Sequence, residues 1–132
     1  MGTVVKKVLV VDDDESIRET LRTVLEEAGY VVDEAPDGMG ALKRLRSSRE
    51  KMVVVLDLMM PGLDGAGVLG VVAGDRRLAE QFGYVLVTAN NNTLTLAFAT
   101  LLKNLAVPLV TKPFDIDRLV HVVDEIARRL SA

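Results

Sequence analysis

Five short apolar runs alternate along the chain with longer segments of mixed character. The runs are VLVV from Val8, YVVDEA from Tyr30, MVVVL from Met52, YVLV from Tyr84 and VPLV from Val107. They begin 22, 22, 32 and 23 residues apart, which leaves room each time for a helix and two turns. Two of the middle runs are nearly all apolar, as is typical of strands covered on both faces. This alternation predicts parallel strands joined by right-handed helical crossovers.

The segments between these runs carry apolar residues at helical spacing. Near the N-terminus the spacing i, i+4, i+7, i+8, i+11 is met by Ile17, Leu21, Val24, Leu25 and Ala28. A similar series near the C-terminus consists of Leu119, Val122, Val123, Ile126, Ala127 and Leu130. Gly29 follows the first series and is placed to end that helix. We expect five helices, the third of them weakened by the glycines of GAGV at 65–68 and by Gly70 and Gly74.

The order of these units predicts where a ligand would bind. An open sheet of five such units winds most often from a central first strand in both directions, in the strand order 2-1-3-4-5. The expected fold is therefore α/β, a doubly wound five-stranded parallel sheet. Strands 1 and 3 are neighbours in this order, and ligands bind beyond the carboxyl ends of strands where the topology reverses. Asp12 and Asp13 follow strand 1 and Asp57 follows strand 3, so we expect them in that crevice.

Composition narrows the class of protein. The 132 residues suit one compact domain, which we place at residues 1–132, with 49% apolar and 27% charged residues. A net charge of −3 and the lack of a Lys/Arg-rich run argue against nucleic-acid binding by this domain. The chain has no cysteine, which excludes disulfides and thiolate metal sites. No apolar run approaches the roughly 20 residues that span a bilayer. The first apolar run is short and is followed at once by three acids, which does not fit a signal peptide. We therefore expect a cytoplasmic protein.

Asp57 comes directly after the most apolar run of the chain, with no polar residue before it. Ionising a buried acid is costly unless something compensates its charge. Three carboxylates in one crevice repel one another, so they have raised pKa values or hold a cation, and oxygen ligands suit Mg²⁺. Strand 4 ends in Thr88, and Lys112 follows strand 5. A hydroxyl, an ammonium and a divalent cation around one carboxylate favour phosphoryl transfer, with Asp57 as the nucleophile.

Each of these signals is weak by itself. Acidic residues such as Asp14 and Glu15 are common at a solvated helix N-terminus, where the helix dipole favours them. A threonine at a strand end and a lysine near a helix start are both ordinary. The joint pattern is specific, because an acid pair, a single acid, a hydroxyl and a lysine fall in order on the ends of strands 1, 3, 4 and 5.

The whole chain resembles the receiver domains of two-component response regulators. The resemblance rests on VLVVDDDESIRETL, VVVLDLMMPGLDG, VLVTAN and VTKPF, in that order. It implies a flavodoxin-like fold, and it implies that a sensor histidine kinase or a phosphotransfer protein donates a phosphoryl group from its phosphohistidine to Asp57. It also implies a domain that is no enzyme toward other substrates and catalyses only the phosphorylation and dephosphorylation of its own aspartate.

The resemblance also assigns roles to the neighbouring residues. The implied Mg²⁺ ligands are Asp13 and Asp57 directly, Asp12 through water, and Met59 through its backbone carbonyl. Thr88 would bond one phosphoryl oxygen and Lys112 would pair with another. The Lys112–Pro113 bond would be cis, which proline permits because the X–Pro bond has a low cis penalty.

The end of the chain departs from the family pattern. Family members usually carry an aromatic residue three positions before the lysine, where this chain has Leu109. The usual Gly-Ala turn before strand 5 is replaced by NLAVPLV, in which we expect Asn104 to supply the left-handed helix cap. Pro108 lacks an N–H, which predicts an edge strand or a bulge at strand 5. We expect the coupling of phosphorylation to output to be non-standard rather than absent.

The fourth helical segment, NNNTLTLAFATLLKNLA, is unusually apolar. One stripe, expected to face the sheet, consists of Leu94, Phe98, Leu101 and Leu105. Leu96 and Leu102 fall partly outside that stripe. A wide core stripe accounts for this pattern, and so does a face that docks a second copy or an output partner. In the family, phosphorylation acts by shifting the face of the fourth helix, fifth strand and fifth helix.

Two other functions fit parts of the sequence. VLVVDDDESI also matches the first motif of haloacid dehalogenase-type phosphatases, with Asp12 as nucleophile and Asp14 as general acid. The chain is short for that family, and DLMMPGLDG would then have no role. A binding module that has the receiver fold and is never phosphorylated is a third interpretation. The intact set of acids, threonine and lysine argues against it.

Overall fold

The computed structural model describes residues 4–89, 94–113 and 115–131, and these form a single parallel sheet with helices on both faces. The five strands are β1 (Lys7–Val11), β2 (Val31–Ala35), β3 (Met52–Asp57), β4 (Phe82–Thr88) and β5 (Leu109–Thr111). Their order in the sheet is β2-β1-β3-β4-β5, and every neighbouring pair is parallel. The predicted strand order is therefore confirmed. It places β1 beside β3 and leaves β5 at an edge.

The helices are α1 (Glu15–Glu27), α2 (Gly38–Ser47), α3 (Gly65–Ala73), α4 (Arg76–Gln81), α5 (Leu96–Asn104) and α6 (Ile116–Ser131). The described residues form six helices, one more than the five predicted, because the long crossover from β3 to β4 holds both α3 and α4. Gly74 caps the end of α3, and the side chain of Asp75 accepts a hydrogen bond from the Leu78 N–H to begin α4. The predicted fourth and fifth helices are therefore α5 and α6.

The core lies on both faces of the sheet, as the apolar runs predicted. Alternate residues of β3 point to opposite faces, so Val54 and Leu56 join one buried cluster with α2, α3, α4 and α5. Val53 and Val55 join the other cluster, with α1 and α6. All six residues of β3 are buried. The central strand is therefore held rigidly by packing from both sides.

Helix α1 begins and ends as its sequence predicts. The carboxylate of Asp14 accepts hydrogen bonds from the N–H groups of Ser16 and Ile17, so Asp14 is the N-cap. Gly29 has a φ of 100° and ends the helix. The ordinary interpretation of Asp14 as a helix-terminal acid is confirmed, and this leaves Asp12 and Asp13 as the acids for the strand-end crevice.

The turn from α5 to β5 corrects one sequence expectation. Asn104 is the last residue of α5, and the left-handed residue is Ala106, with a φ of 54°. The prediction of Asn104 as the left-handed cap was wrong because the helix continues to that residue. Pro108 directly precedes the short strand β5, and its carbonyl accepts a hydrogen bond from the Leu86 N–H at 3.0 Å. The expectation that β5 is an edge strand is confirmed, but Pro108 lies just before the strand, whereas the sequence placed it inside strand 5.

The apolar stripe of α5 faces the core. The residues of this stripe are partly buried and pack against the core cluster on the face of the sheet that α2, α3, α4 and α5 cover (the α2–α5 side): Leu94, Phe98, Leu101 and Leu105. Leu102 is the buried residue of the helix, at 7% exposure, although its position in the pattern placed it partly outside the stripe. Leu96 is 85% exposed. Residues 90–93 of this segment lie outside the described part of the chain. Among the described helices, none is long and apolar enough to cross a membrane.

Candidate functional site

The acids predicted at the strand ends do meet in the structure. Val11 pairs with Leu56 in the β1–β3 register, so Asp12 and Asp57 leave the sheet side by side. Carboxylate oxygens of Asp12, Asp13 and Asp57 all lie within 4.8 Å of one another. Asp12 and Asp57 are 3% and 6% exposed, whereas Asp13 is exposed. The cluster therefore has two buried carboxylates and one that faces solvent.

Lys112, the residue after edge strand β5, extends its side chain to this cluster. Its Nζ lies 3.4 Å from Oδ2 of Asp12 and 3.6 Å from Oδ1 of Asp57. Its backbone N–H donates to the carbonyl of Thr88 at 2.7 Å, which ties the end of β5 to the end of β4. The Lys112–Pro113 peptide bond is cis, as the resemblance implied. One ammonium group thus lies beside both buried carboxylates.

Thr88 and Met59 complete the set of predicted site residues. Thr88 is fully buried at the end of β4, one residue beyond Val87, which pairs with Asp57. The Met59 N–H donates to Oδ1 of Asp57 at 3.4 Å, and the Met59 side chain is 65% exposed. The structure therefore brings every predicted site residue to one end of the sheet. The roles assigned to the Thr88 hydroxyl and the Met59 carbonyl stay predictions.

The electrostatics of the cluster favour a cation. Burial raises the pKa of Asp57 to about 6, and the negative charge of Asp12 adds to the rise. The ammonium of Lys112 and the Met59 N–H act in the opposite direction. Lys112 therefore compensates the acidic cluster only in part. A divalent cation would neutralise the remaining charge.

The donors of the cluster fit Mg²⁺. They are carboxylate oxygens, and Mg²⁺ is usually held by one or two carboxylates together with several water molecules. Asp13 lies on the exposed side, where water can complete an octahedral shell. We therefore regard Asp12, Asp13 and Asp57 as residues that fit this ion.

A glycine that supports the site was missed in the sequence. We interpreted Gly65 only as a residue that weakens the third helix. A Cβ at this position would lie 2.6 Å from the carbonyl oxygen of Asp57 and 2.8 Å from the Cα of Leu58. The Gly65 N–H also donates to the Leu58 carbonyl at 3.0 Å. The start of α3 can therefore pack against the Asp57 backbone only because Gly65 has no side chain.

Arg18 was also missed. It lies on α1, and its Nη1 donates to the backbone carbonyl of Asp12 at 2.7 Å. Nothing in the spacing of residues indicated this contact, because a bond from a side chain to a backbone carbonyl requires no particular residue type at the acceptor.

Comparison with known proteins decides the family. A family model described as the response regulator receiver domain matches residues 8–124. The chain belongs to this family. The receiver domain is 36% identical over 129 residues to the DNA-binding response regulator MtrA of Mycolicibacterium smegmatis, an alignment that covers 98% of this chain and 54% of MtrA. It spans about half the length of the curated relatives it matches.

Solved structures of response regulators are similar to this chain in fold and sequence. The Francisella response regulator 1452 receiver domain has a TM-score of 0.81 and 32% identity, with 94% of this chain and 98% of that chain covered. The response regulator TrrA of Thermotoga maritima has a TM-score of 0.77 and 32% identity, with 92% and 98% covered. The receiver family, rather than the haloacid dehalogenase-type phosphatases, thus accounts for the acids at 12–14.

Leu109, where the family usually has an aromatic residue, lies in β5 beside Val110 and Thr111. It is half-buried and packs against the α2–α5 side of the core. The receiver domain therefore has a branched aliphatic side chain packed against the core at this position.

Proposed function

We propose that this receiver domain accepts a phosphoryl group onto Asp57 from the phosphohistidine of a sensor histidine kinase or of a phosphotransfer protein. The observation that carries the proposal is the position of Asp57. It is a buried carboxylate at the end of the central strand, with two further acids within 4.8 Å and the Lys112 Nζ at 3.6 Å. A nucleophile, a cation site and a fixed ammonium are the parts that phosphoryl transfer requires.

In the transfer, an oxygen of Asp57 bonds to phosphorus while the P–N bond of the phosphohistidine breaks. The electron pair of that bond goes to the imidazole nitrogen of the donor, which takes up a proton. Lys112 is placed to neutralise charge on the phosphoryl oxygens, and the Thr88 hydroxyl would donate to one of them. Mg²⁺, held by Asp12, Asp13 and Asp57 with the Met59 carbonyl, would supply charge neutralisation and orientation. The domain would catalyse only this reaction and the hydrolysis of its own acyl phosphate.

A structural neighbour supports the choice of ion. The structure of TrrA was determined in complex with Mg²⁺ and BeF, and this chain shares its fold over 92% of its length. The acidic cluster of the receiver domain offers the oxygen donors that such an ion needs.

Phosphorylation with a small donor tests the proposal. We expect acetyl phosphate and Mg²⁺ to add one phosphoryl group to the wild-type protein, measured by intact mass, and EDTA to prevent it. Asp57→Asn should abolish the label. Labelling that survives Asp57→Asn but not Asp12→Asn would instead indicate Asp12 as the nucleophile. A wild-type protein that neither binds Mg²⁺ nor accepts a phosphoryl group would be a binding module on the receiver fold.

The output of the receiver domain is proposed by analogy. MtrA is described as a DNA-binding response regulator, so we propose that this domain controls an output such as transcription rather than contacting DNA itself. The face of α5, β5 and α6 is the proposed contact for a second copy or an output partner. We place this signalling in the cytoplasm.

A further inference from the structure

Arg18 connects the acid pair of the site to the edge of the sheet. Its Nη1 donates to the carbonyl of Asp12 at 2.7 Å, and its Nε donates to Oε1 of Glu34 at 3.1 Å. The Arg18 side chain is 15% exposed and that of Glu34 is 25% exposed, so both groups are partly shielded from water. A planar guanidinium with donors in a fixed geometry can hold both acceptors at once. Lysine, with its single nitrogen, cannot reproduce this arrangement.

Glu34 is itself fixed from two sides. Its Oε1 accepts from Arg18, and its Oε2 accepts from the Nε of Arg22 at 2.7 Å. The two arginines are four residues apart and therefore lie on the same face of α1. Arg22 makes a second ion pair with Glu26 at 3.6 Å. The carboxylate of Glu34 thus holds Arg18 in one orientation. Arg22 is the second partner of Glu34 and lies farther from the acid cluster.

Hydrogen bonds hold Asp12 at its backbone N–H, its backbone carbonyl and one carboxylate oxygen. Its N–H donates to the carbonyl of Ala35 at 3.2 Å, which extends the β1–β2 ladder by one step. Its carbonyl accepts from Arg18, and its Oδ1 accepts from the Asp14 N–H at 2.9 Å. The carbonyl of Asp12 belongs to the peptide group that joins it to Asp13. The bond from Arg18 therefore fixes the plane from which both carboxylates leave the backbone.

We propose that Arg18, held by Glu34, is a positioning residue that sets the geometry of Asp12 and Asp13 for Mg²⁺. This inference rests on the proposed function, because it takes the acid pair as the Mg²⁺ site. Arg18 contacts none of the carboxylates of the cluster in the described residues, so it acts through the backbone of Asp12. Groups that orient metal ligands in this way typically contribute about 10–100-fold to metal affinity.

The charge of Arg18 and its hydrogen bond to Asp12 have opposite expected effects on Mg²⁺ affinity. Arg18 is a cation close to an anionic metal site, so removing it would tighten Mg²⁺ binding if only its charge mattered. Removing it would weaken Mg²⁺ binding if its role is to position the acids. The sign of the change therefore distinguishes the two roles.

Mg²⁺ titrations followed by amide chemical shifts or by calorimetry test the inference. We expect Arg18→Gln to weaken Mg²⁺ binding by about 10-fold or more and Arg18→Lys to weaken it less. The matched control is Arg22→Gln, which removes one positive charge and one hydrogen bond to Glu34, on its other oxygen, but no contact with Asp12. We expect its Mg²⁺ affinity to stay within about twofold of wild type, since loss of one screened surface charge has a small effect.

The rate of phosphorylation by acetyl phosphate gives a second readout. A metal-affinity defect should be overcome by saturating Mg²⁺, so Arg18→Gln should then approach the wild-type rate. Unchanged or tighter Mg²⁺ binding by a folded Arg18→Gln protein would overturn the inference and leave the proposed function intact. If Arg18→Gln does not fold, Arg18→Lys decides in its place, and wild-type affinity in that variant would overturn the inference. A wild-type protein that does not bind Mg²⁺ would overturn both.

Discussion

The Nζ of Lys112 lies 3.6 Å from Oδ1 of Asp57, so the residue that follows the edge strand supplies positive charge to the residue that ends the central strand. The same Nζ lies 3.4 Å from Asp12. The stability of the Mg²⁺-free protein therefore depends on one ammonium group that is shared by two buried carboxylates.

Lys112→Met should destabilise the Mg²⁺-free protein at pH 7. The variant leaves Asp12 and Asp57 without this ion pair, and removing one partner of a fully buried pair typically costs about 3–5 kcal/mol. Because the Lys112 side chain is 22% exposed and water screens part of the interaction, we expect a loss of about 1–3 kcal/mol. Urea unfolding in EDTA measures the loss, which should shrink when Mg²⁺ is added. Lys103→Met, at an exposed position of α5, is the control and should change stability by less than about 0.5 kcal/mol. Equal effects of the two variants would contradict this role of Lys112.

Asp57→Asn should stabilise the Mg²⁺-free protein at pH 7. The pKa of Asp57 is about 6 in the folded chain, against an ordinary value of 3.8. As pH rises between these values, the unfolded chain releases its proton first, so the wild type loses stability across that window. Asparagine carries no such proton and avoids the loss. At about 1.4 kcal/mol for each pKa unit, the expected gain is about 1–3 kcal/mol.

The pH dependence of that gain is its test. Urea unfolding in EDTA should show the advantage of Asp57→Asn in full above pH 6 and should show it vanish near pH 4. Glu27→Gln removes one acid from the exposed end of α1 and serves as the control, with no such change expected. A gain that is the same at both pH values would mean that Asp57 titrates normally.

Gly65→Ala should both destabilise the fold and impair phosphorylation. The added Cβ would meet the backbone of Asp57 and Leu58, which cannot yield as a flexible side chain would. We expect a loss of about 1–3 kcal/mol from this overpacking. Gly70→Ala is the matched control on the same helix, since its Cβ meets nothing within 4 Å. It should stabilise the protein by about 0.5–1 kcal/mol, because alanine favours a helix.

Ala106→Gly should stabilise the turn between α5 and β5. Alanine with a φ of 54° pays about 1–2 kcal/mol for the left-handed conformation, and glycine avoids this cost. The greater freedom of glycine in the unfolded chain offsets part of the gain, so we expect a net gain of about 0.5 kcal/mol. Ala97→Gly, on the exposed side of α5, should lower stability instead. Thermal unfolding of both variants measures the difference, and a loss in Ala106→Gly would show that this turn is not strained.

The strand order and the meeting of the acids could be predicted because each depends on a repeated pattern. Apolar runs define the strands, and parallel strands bring their carboxyl ends to one edge, so Asp12, Asp57 and Lys112 met as expected. Contacts made with backbone atoms leave no such pattern in the sequence. The hydrogen bond from Arg18 to a carbonyl and the close approach of Gly65 depend on three-dimensional packing.

Helix ends were harder to predict than helices. The left-handed residue at the end of α5 depends on where the last turn stops, and the observed Ala106 lies two positions after the expected Asn104. The extra helix α4 depends on a break at Gly74 and Asp75 inside one long crossover. Both differences lie away from the acid cluster, so the predicted site was not affected by them.

The position of Lys112 directly after the last strand has a consequence during protein synthesis. A ribosome makes β1, β3 and β4 before it makes β5, so a nascent chain that holds the first four strands already contains Asp12, Asp13 and Asp57. Such a chain lacks the ammonium that lies beside two of these acids. The acid cluster therefore has the positive charge of Lys112 beside it only after β5 has joined the edge of the sheet.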